Sequence, residues 1–350
     1  MPDFDDTSDR PLVRKKSNFN FDDKAGGDFI RFMDENHVHP VLVFGTRLSG
    51  KSTMLLSALG YAMGSADAGI NVRIGEDPFP ATVEDAQSRY LAAKEFLNVK
   101  VPAFNHGDMP PATSIEHPFF IPLDIEIRGP GNTGRTCKLA FLEGQGEWFE
   151  MDTSTGVDFR EMKPEVTAIL KRFPNPISVI FVSPCRSPDG RVGLEYSHRC
   201  LANCVDQYRR HRNDPARDHL LLMMSKWDAR HPPGTDGFND PAADLLLKEV
   251  QDWRFIWNAF STLNGIGSKS LLPYSAGMIS GNFVNPPGVH KRVFDRYNRL
   301  LLNWIIGNAT QPATGNAADR PSPLYPDAAP PTKGKPSALD RFIDFILGTK

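Results

Sequence analysis

Apolar side chains along this chain fall into continuous runs and helical stripes. Residues 41–44, 177–182 and 219–224 are nearly unbroken apolar runs. That pattern suits strands buried on both faces. Residues 271–275 form a shorter run of the same kind. Residues 121–127 and 136–142 alternate or run apolar on either side of Gly129-Pro-Gly-Asn-Thr-Gly134, which is a hairpin signature. Helical spacing marks residues 28–36, 54–63, 194–211 and 289–306, the last reading as a closing helix, and a more polar helix is expected over 81–97. Strands alternating with helices predict an α/β fold with a mostly parallel, doubly wound sheet. In such a sheet ligands bind outside the carboxyl ends of the strands.

The flanks read differently. Residues 1 to about 26 are polar, with Asp3, Asp5, Asp6 and Asp9 followed by Arg14-Lys15-Lys16, and predict a disordered lead-in. A single α/β domain is expected over 27–308. Residues 309–336 are rich in Ala, Pro, Thr and Asp and read as a flexible linker. Over 337–350, Ser337-Ala-Leu-Asp340 resembles a capping box, and Leu339, Phe342, Ile343, Ile346 and Leu347 line one face of an amphipathic helix.

Composition narrows the classes. The net charge of −2 gives no bulk attraction to nucleic acid or anionic membrane. No window approaches the ~18 apolar residues of a membrane span. The start, MPDFDDTSDR, lacks a secretory apolar segment, which predicts a cytoplasmic setting. Cys137, Cys185, Cys200 and Cys204 show no metal-type CxxC pairing. Cys200 and Cys204, four apart on a helix, are either small buried hydrophobes or a metal or redox pair.

The chemistry begins where the first apolar run ends. Gly45-Thr46-Arg47-Leu48-Ser49-Gly50-Lys51-Ser52-Thr53 reads G-x-x-x-x-G-K-S between a strand and a helix. Two glycines let the backbone wrap a phosphate chain, and N–H groups at a helix N-terminus point at the anion. Lys51 reaches the β- and γ-phosphates, and the Ser52 hydroxyl is placed to hold Mg²⁺. A bound nucleoside triphosphate is the expectation. Arg47 and Leu48 crowd a loop where small residues are common.

Three later motifs sort among kinases, ATPases and GTPases. Glu143-Gly-Gln145-Gly146-Glu147 follows the strand over 136–142. Its first carboxylate suits an Mg²⁺ hydration shell, and the Gly146 N–H suits the γ-phosphate. The usual residue here is Asp; the extra methylene of Glu143 predicts contact through water. Ser225-Lys226-Trp227-Asp228 ends an apolar strand. A carboxylate there accepts the guanine N1–H and 2-amino hydrogens, which adenine does not offer, while the Lys226 stem covers the base. Ser225 stands where Asn is commoner, so a side-chain amide tie to the phosphate loop is expected to be missing. Tyr274-Ser275-Ala276-Gly277 would turn the Ala276 N–H toward guanine O6. Taken singly, each is also compatible with an ordinary strand end or turn.

In this order the motifs resemble those of the translation-factor-related (TRAFAC) class of P-loop GTPases, over about 40–308. Intervals are longer than in small Ras-like members, implying insertions. Glu147-Trp148-Phe149 is similar to the G-E-W of bacterial YcjX-like and double-GTPase families. The resemblance implies a regulatory GTPase with GTP or GDP as ligand and Mg²⁺ as cofactor. It implies a switch I threonine that ligands Mg²⁺ only when the γ-phosphate is present; Thr113 is the choice, with Ser114 the alternative. The usual water-positioning glutamine is replaced by Glu147, with Gln145 nearby, so slow hydrolysis is expected. Arg47 either supplies charge to the transition state or points to solvent.

A protein partner is expected at Trp148 and Phe149, which act as contact anchors or pack beneath the switch. The C-terminal helix either docks on its own domain or captures a partner groove. A homodimer is compatible with the same motifs. The rival readings are a P-loop ATPase or small-molecule kinase, and a nucleotide-stabilised scaffold without turnover.

Overall fold

The computed structural model describes residues 23–65, 69–79, 86–109, 119–127, 135–144, 161–185, 194–229, 246–247, 250–280, 283–285, 288–310 and 322–324. Helix α1 (Asp23–Glu35) buries Phe29 and Met33 and leads into β1 (Val38–Phe44), every residue of which is buried. The phosphate loop then opens into α2 (Lys51–Gly64). Next come β2 (Ile70–Ile74), α3 (Ala86–Glu95) and α4 (Val101–Asn105). The hairpin strands β3 (Phe119–Ile127) and β4 (Arg135–Glu143) follow. Beyond them lie α5 (Pro164–Arg172), β5 (Ser178–Pro184), α6 (Leu194–His211) and β6 (His219–Ser225). The last third holds α7 (Arg254–Ser261), β7 (Ser268–Pro273), the short pair β8 (Met278–Ser280) and β9 (Phe283–Asn285), α8 (Gly288–Thr310) and β10 (Ser322–Pro323).

Eight described strands form one sheet in the order β10-β7-β6-β5-β1-β4-β3-β2. β4, β1, β5, β6 and β7 run parallel, and β10 joins β7 in the same sense. β3 and β2 run antiparallel at the other edge. The apolar runs of β1, β5 and β6 are explained by this placement, because the middle of the sheet is covered on both faces. One helix group packs in succession, α1 on α5, α5 on α6 and α6 on α7, while α2 packs with α4 and α8. The expected α/β, doubly wound architecture is therefore present. Among the described residues no helix is long and apolar enough to cross a membrane.

Several boundaries differ from expectation. α1 begins at Asp23, inside the stretch read as disordered, because Ala25 and Phe29 bury on the core. The helix expected over 81–97 runs instead through α3, a π-turn at Phe96–Lys100, and α4. Pro102 has no N–H to give the α-helical ladder, and a π-turn just before it absorbs the mismatch. The closing helix extends to Thr310, and Ser322–Pro323 pairs with β7, where a linker was expected. The C-terminal helix expected over 337–350 lies outside the described residues.

Three imidazoles are buried, His39 and His219 near the amino ends of β1 and β6 and His198 on α6. His39 Nε2 lies 2.9 Å from Ser178 Oγ, and His219 Nδ1 lies 2.9 Å from Ser268 Oγ. Burial pushes His39 down to about 3, aided by nearby His219, which burial itself lowers to about 4. His198, on α6, is lowered by burial to about 4. These folded-state values lie below the ordinary 6.5. The unfolded chain therefore binds more protons, and stability falls as pH drops below about 6.5. The loss is about 1.4 kcal/mol per pH unit for each histidine. Urea midpoints at about pH 7 and about pH 5.5 should show it; equal midpoints would mean these rings are not held neutral.

Candidate functional site

β1 delivers the phosphate loop to the carboxyl end of the sheet, next to β5 and close to the end of β6. Gly45 is required by close approach: a Cβ there would lie 2.5 Å from Ser49 Oγ and 2.9 Å from the Val182 carbonyl. Gly50 has φ +94°, a left-handed conformation that glycine adopts without cost, and caps α2. Leu48, at φ 58°, takes a similar conformation with its side chain 49% exposed. Arg47 is exposed beside it, on the outer surface of the loop.

The interior of the loop is polar and closed. Lys51 is buried, and its Nζ donates to the Gly45 carbonyl at 2.7 Å and the Thr46 carbonyl at 3.1 Å. Thr46, also buried, donates from Oγ1 to Ser197 Oγ at 3.3 Å, tying the loop to the first turn of α6. Ser52 and Thr53 are half-buried in the first turn of α2. Ser52 Oγ donates to Glu143 Oε1 at 2.5 Å, across from the end of β4. The glutamate thus comes into direct contact with the serine. A hydroxyl and a carboxylate oxygen so close form the donor set of a hard cation such as Mg²⁺. They fit that ion, and the tight Gly45 turn fits a phosphate chain.

Ser225, at the end of β6, donates from Oγ to the Ser49 carbonyl at 2.5 Å. This replaces the amide tie whose absence was expected. The strand and loop are close enough for the shorter hydroxyl to reach, since an ideal Cβ on Gly50 would sit only 3.6 Å from Ser225. Lys226 follows with φ 57°, and a 3₁₀ turn spans Trp227–Ala229. Trp227 is buried, and its N–H donates to the Tyr274 carbonyl at 3.2 Å.

That bond joins the segment that carries Asp228 to the one that carries Ser275. Ser275 hydroxyl donates to Asp228 Oδ1. Burial raises the Asp228 carboxyl above its ordinary range, and the Ser275 hydrogen bond works against the rise. Ala276 is half-buried against the core.

The structure therefore brings Gly45–Thr53, Glu143, Ser225, Lys226, Asp228, Ser275 and Ala276 to one end of the sheet. Thr113, Gln145, Gly146, Glu147, Trp148 and Phe149 lie outside the described residues. Two contributors were not singled out from sequence. Ser197 touches the loop, and His198 beside it stacks on Trp253 with centroids 4.7 Å apart. Their only sequence signal is a position near the start of a helix that follows a buried strand. Among the described residues, no group of three or more His, Cys, Asp and Glu side chains could hold a metal ion. Cys200 and Cys204 are buried, as small hydrophobes would be, and burial holds the Cys204 thiol well above its ordinary range.

A strand, a glycine-cornered phosphate loop and a helix at the centre of a doubly wound sheet define a P-loop nucleoside triphosphatase fold. No protein-family model matches this sequence, and no curated protein matches it. Solved structures do. The Roco2 RocCORdC of Methanosarcina barkeri bound to GDP is 12% identical, covers 69% of this chain and 44% of that one, and gives a TM-score of 0.25. The Ski7 GTPase-like domain of S. cerevisiae bound to GTP is 15% identical, covering 81% and 53%, with a TM-score of 0.36. The signal recognition particle receptor SRb-GTP/SRX complex from Chaetomium thermophilum is 11% identical, covering 69% and 95%, with a TM-score of 0.29. This chain spans about half the length of the first two. Likenesses this distant carry no argument for function.

Proposed function

We propose that this chain is a regulatory GTP-binding protein that hydrolyses GTP slowly and changes its partner contacts with the nucleotide state. One observation carries the reading: Asp228, held by Ser275, stands beside a phosphate loop that Ser225 ties to the same strand end. A desolvated carboxylate in that position favours a base with two neighbouring N–H donors, which is guanine among the common bases.

In this reading Lys51 leaves the loop carbonyls for the β- and γ-phosphate oxygens. The backbone of 45–52 cradles the phosphate chain. Ser52 and Glu143 would hold Mg²⁺, which supplies charge neutralisation at the phosphates, with Thr113 as a further ligand. Ser225, Lys226, Asp228 and Ala276 orient the base. Glu147 and Gln145 orient the attacking water. A glutamate beside the γ-phosphate is repulsive, which supports slow turnover. An arginine in the transition state is worth roughly 10³–10⁵ in rate; Arg47, exposed on the loop, is the candidate in cis. Trp148, Phe149 and the C-terminal helix are the proposed contacts with a protein partner or a second copy. The Glu-Trp pair at 147–148 supports a place near the YcjX-like, double-GTPase families.

Competition binding tests the base. GTP should displace a fluorescent guanine nucleotide at least a hundredfold more effectively than ATP, below the roughly 10⁴–10⁵ that a site hydrogen-bonded to its ligand can reach. Equal displacement by ATP would defeat the reading. Single-turnover hydrolysis tests the switch: phosphate release abolished by Lys51→Ala is expected, and no release from the unaltered chain would leave a GTP-holding scaffold instead.

A further inference from the structure

A nucleotide that reaches from the phosphate loop to Asp228 has to cross β5, because the strand order places β5 between β1 and β6. Its two ends are gripped by separate parts of the chain, the β1–α2 unit and the β6–β7 strand ends. Base selectivity requires the grips to keep a set spacing, since a carboxylate displaced by about 1 Å no longer meets the base. One tie between them is Ser225 Oγ on the Ser49 carbonyl.

A second tie lies deeper. Tyr274, 2% exposed, immediately precedes Ser275 and accepts the Trp227 N–H on its carbonyl. Its own N–H donates to the Met224 carbonyl at 2.8 Å, so the backbone of Tyr274 sets both base-reading segments. Its side chain points the other way, into the helix group. The Tyr274 hydroxyl donates to Asn298 Oδ1 on α8 at 2.5 Å and lies 3.3 Å from the Met54 carbonyl on α2. Asn298 Nδ2 donates to Ser57 Oγ on α2 at 3.0 Å. The three polar side chains form a chain of hydrogen bonds from Tyr274 through Asn298 to Ser57. Asn298 is 3% exposed and Ser57 6%, so breaking either link leaves a dry polar atom.

We infer that Tyr274 is a positioning residue for base recognition: through Asn298 and Ser57 it fixes the base-reading segments against the helix that carries Lys51 and Ser52. It touches neither base nor phosphate. This rests on the guanine reading of Asp228, and it adds that selectivity depends on α8, a helix that contributes no ligand contact.

The test separates the two claims. Binding of GTP, ATP, ITP (which lacks the 2-amino group) and inorganic triphosphate is measured on the full chain, on Tyr274→Phe and on Ser57→Ala. Tyr274→Phe keeps the ring and removes only the hydroxyl; Ser57→Ala removes the α2 end of the chain of hydrogen bonds. Both should weaken GTP about tenfold or more, the scale of a lost buried hydrogen bond. Both should also shrink the GTP-to-ITP ratio while leaving triphosphate affinity within about twofold. An unchanged GTP-to-ITP ratio in both variants overturns the inference. So does an equal loss of all ligands accompanied by a large fall in Tm, which would mark a purely structural role. If the unaltered chain itself does not prefer GTP to ATP, the guanine reading fails, and that result is visible before any variant is made.

Discussion

An Asp228→Asn variant should lose about 10²–10⁴-fold in GTP affinity and gain xanthosine triphosphate as its preferred ligand. The carboxylate would accept two charge-assisted hydrogen bonds from guanine, each worth about 1.5–3 kcal/mol. An asparagine amide offers one acceptor and one donor, so it mismatches guanine and matches xanthine, which carries an oxygen at the 2-position. The structure makes this substitution mild for the fold. Asp228 is half-buried on a 3₁₀ turn, and its partner Ser275 can give its proton to an amide oxygen as readily as to a carboxylate. Calorimetric titration with the two triphosphates checks the inversion. Retained GTP preference would remove Asp228 from the base site and leave the phosphate loop as evidence of nucleotide binding alone.

The largest effect on stability is expected from Asp218→Ala, at about 3–5 kcal/mol, the cost of stranding one member of a buried ion pair. Asp218 and Arg212 are 0% and 2% exposed. Arg212 donates from Nε to Oδ2 at 2.7 Å and from Nη2 to Oδ1 at 2.9 Å, a bidentate pair. The same guanidinium donates to the carbonyls of Phe173 and Asn175, while Tyr208 hydroxyl and the Ile177 N–H donate to the carboxylate. This clamp fastens the approaches to β5 and β6 and the end of α6 at the amino end of the strands, opposite the loop at 45–52. Removing the carboxylate leaves a dry cation, a dry phenol and a dry amide. A domain of this kind has only about 5–15 kcal/mol in total. Urea titration should show the loss. A paired change, Arg212→Met with Asp218→Leu, should lose less than the single variant, because no charge is then stranded. A single variant within about 1 kcal/mol of the parent would show that the pair is not dry.

The middle of the sheet and the motif-bearing loops were legible in the sequence for physical reasons. β1, β5 and β6 are covered on both faces, so their residues must be apolar throughout, and the runs stand out. α6 spans Leu194–His211, as its apolar spacing predicts. The loop at 45–52 is legible because its turn depends on glycines at Gly45 and Gly50, a spacing few sequences satisfy.

What escaped depends on contacts between distant residues. β2 is a five-residue edge strand, INVRI, with mostly half-buried positions and little pattern. β10 is Ser322–Pro323, joined by backbone bonds that include the Leu324 N–H to the Leu271 carbonyl, and backbone leaves no compositional trace. Ser225 looked like a lost tie because sequence does not report how near β6 comes to the loop. The chain from Tyr274 through Asn298 to Ser57 joins three ordinary polar residues, each explicable alone as a surface position.

The Asn298–Ser57 bond spans 241 residues of chain. During synthesis the loop at 45–52 and helix α2 leave the ribosome long before α8 does, while β7 gains its outer neighbour β10 later still. The nascent chain therefore carries an apolar α2 surface waiting for its cover, exposed to aggregation in that interval. On the guanine reading, base recognition would draw on β6, β7 and α8 together, and would therefore arrive almost last, long after the loop at 45–52 has left the ribosome.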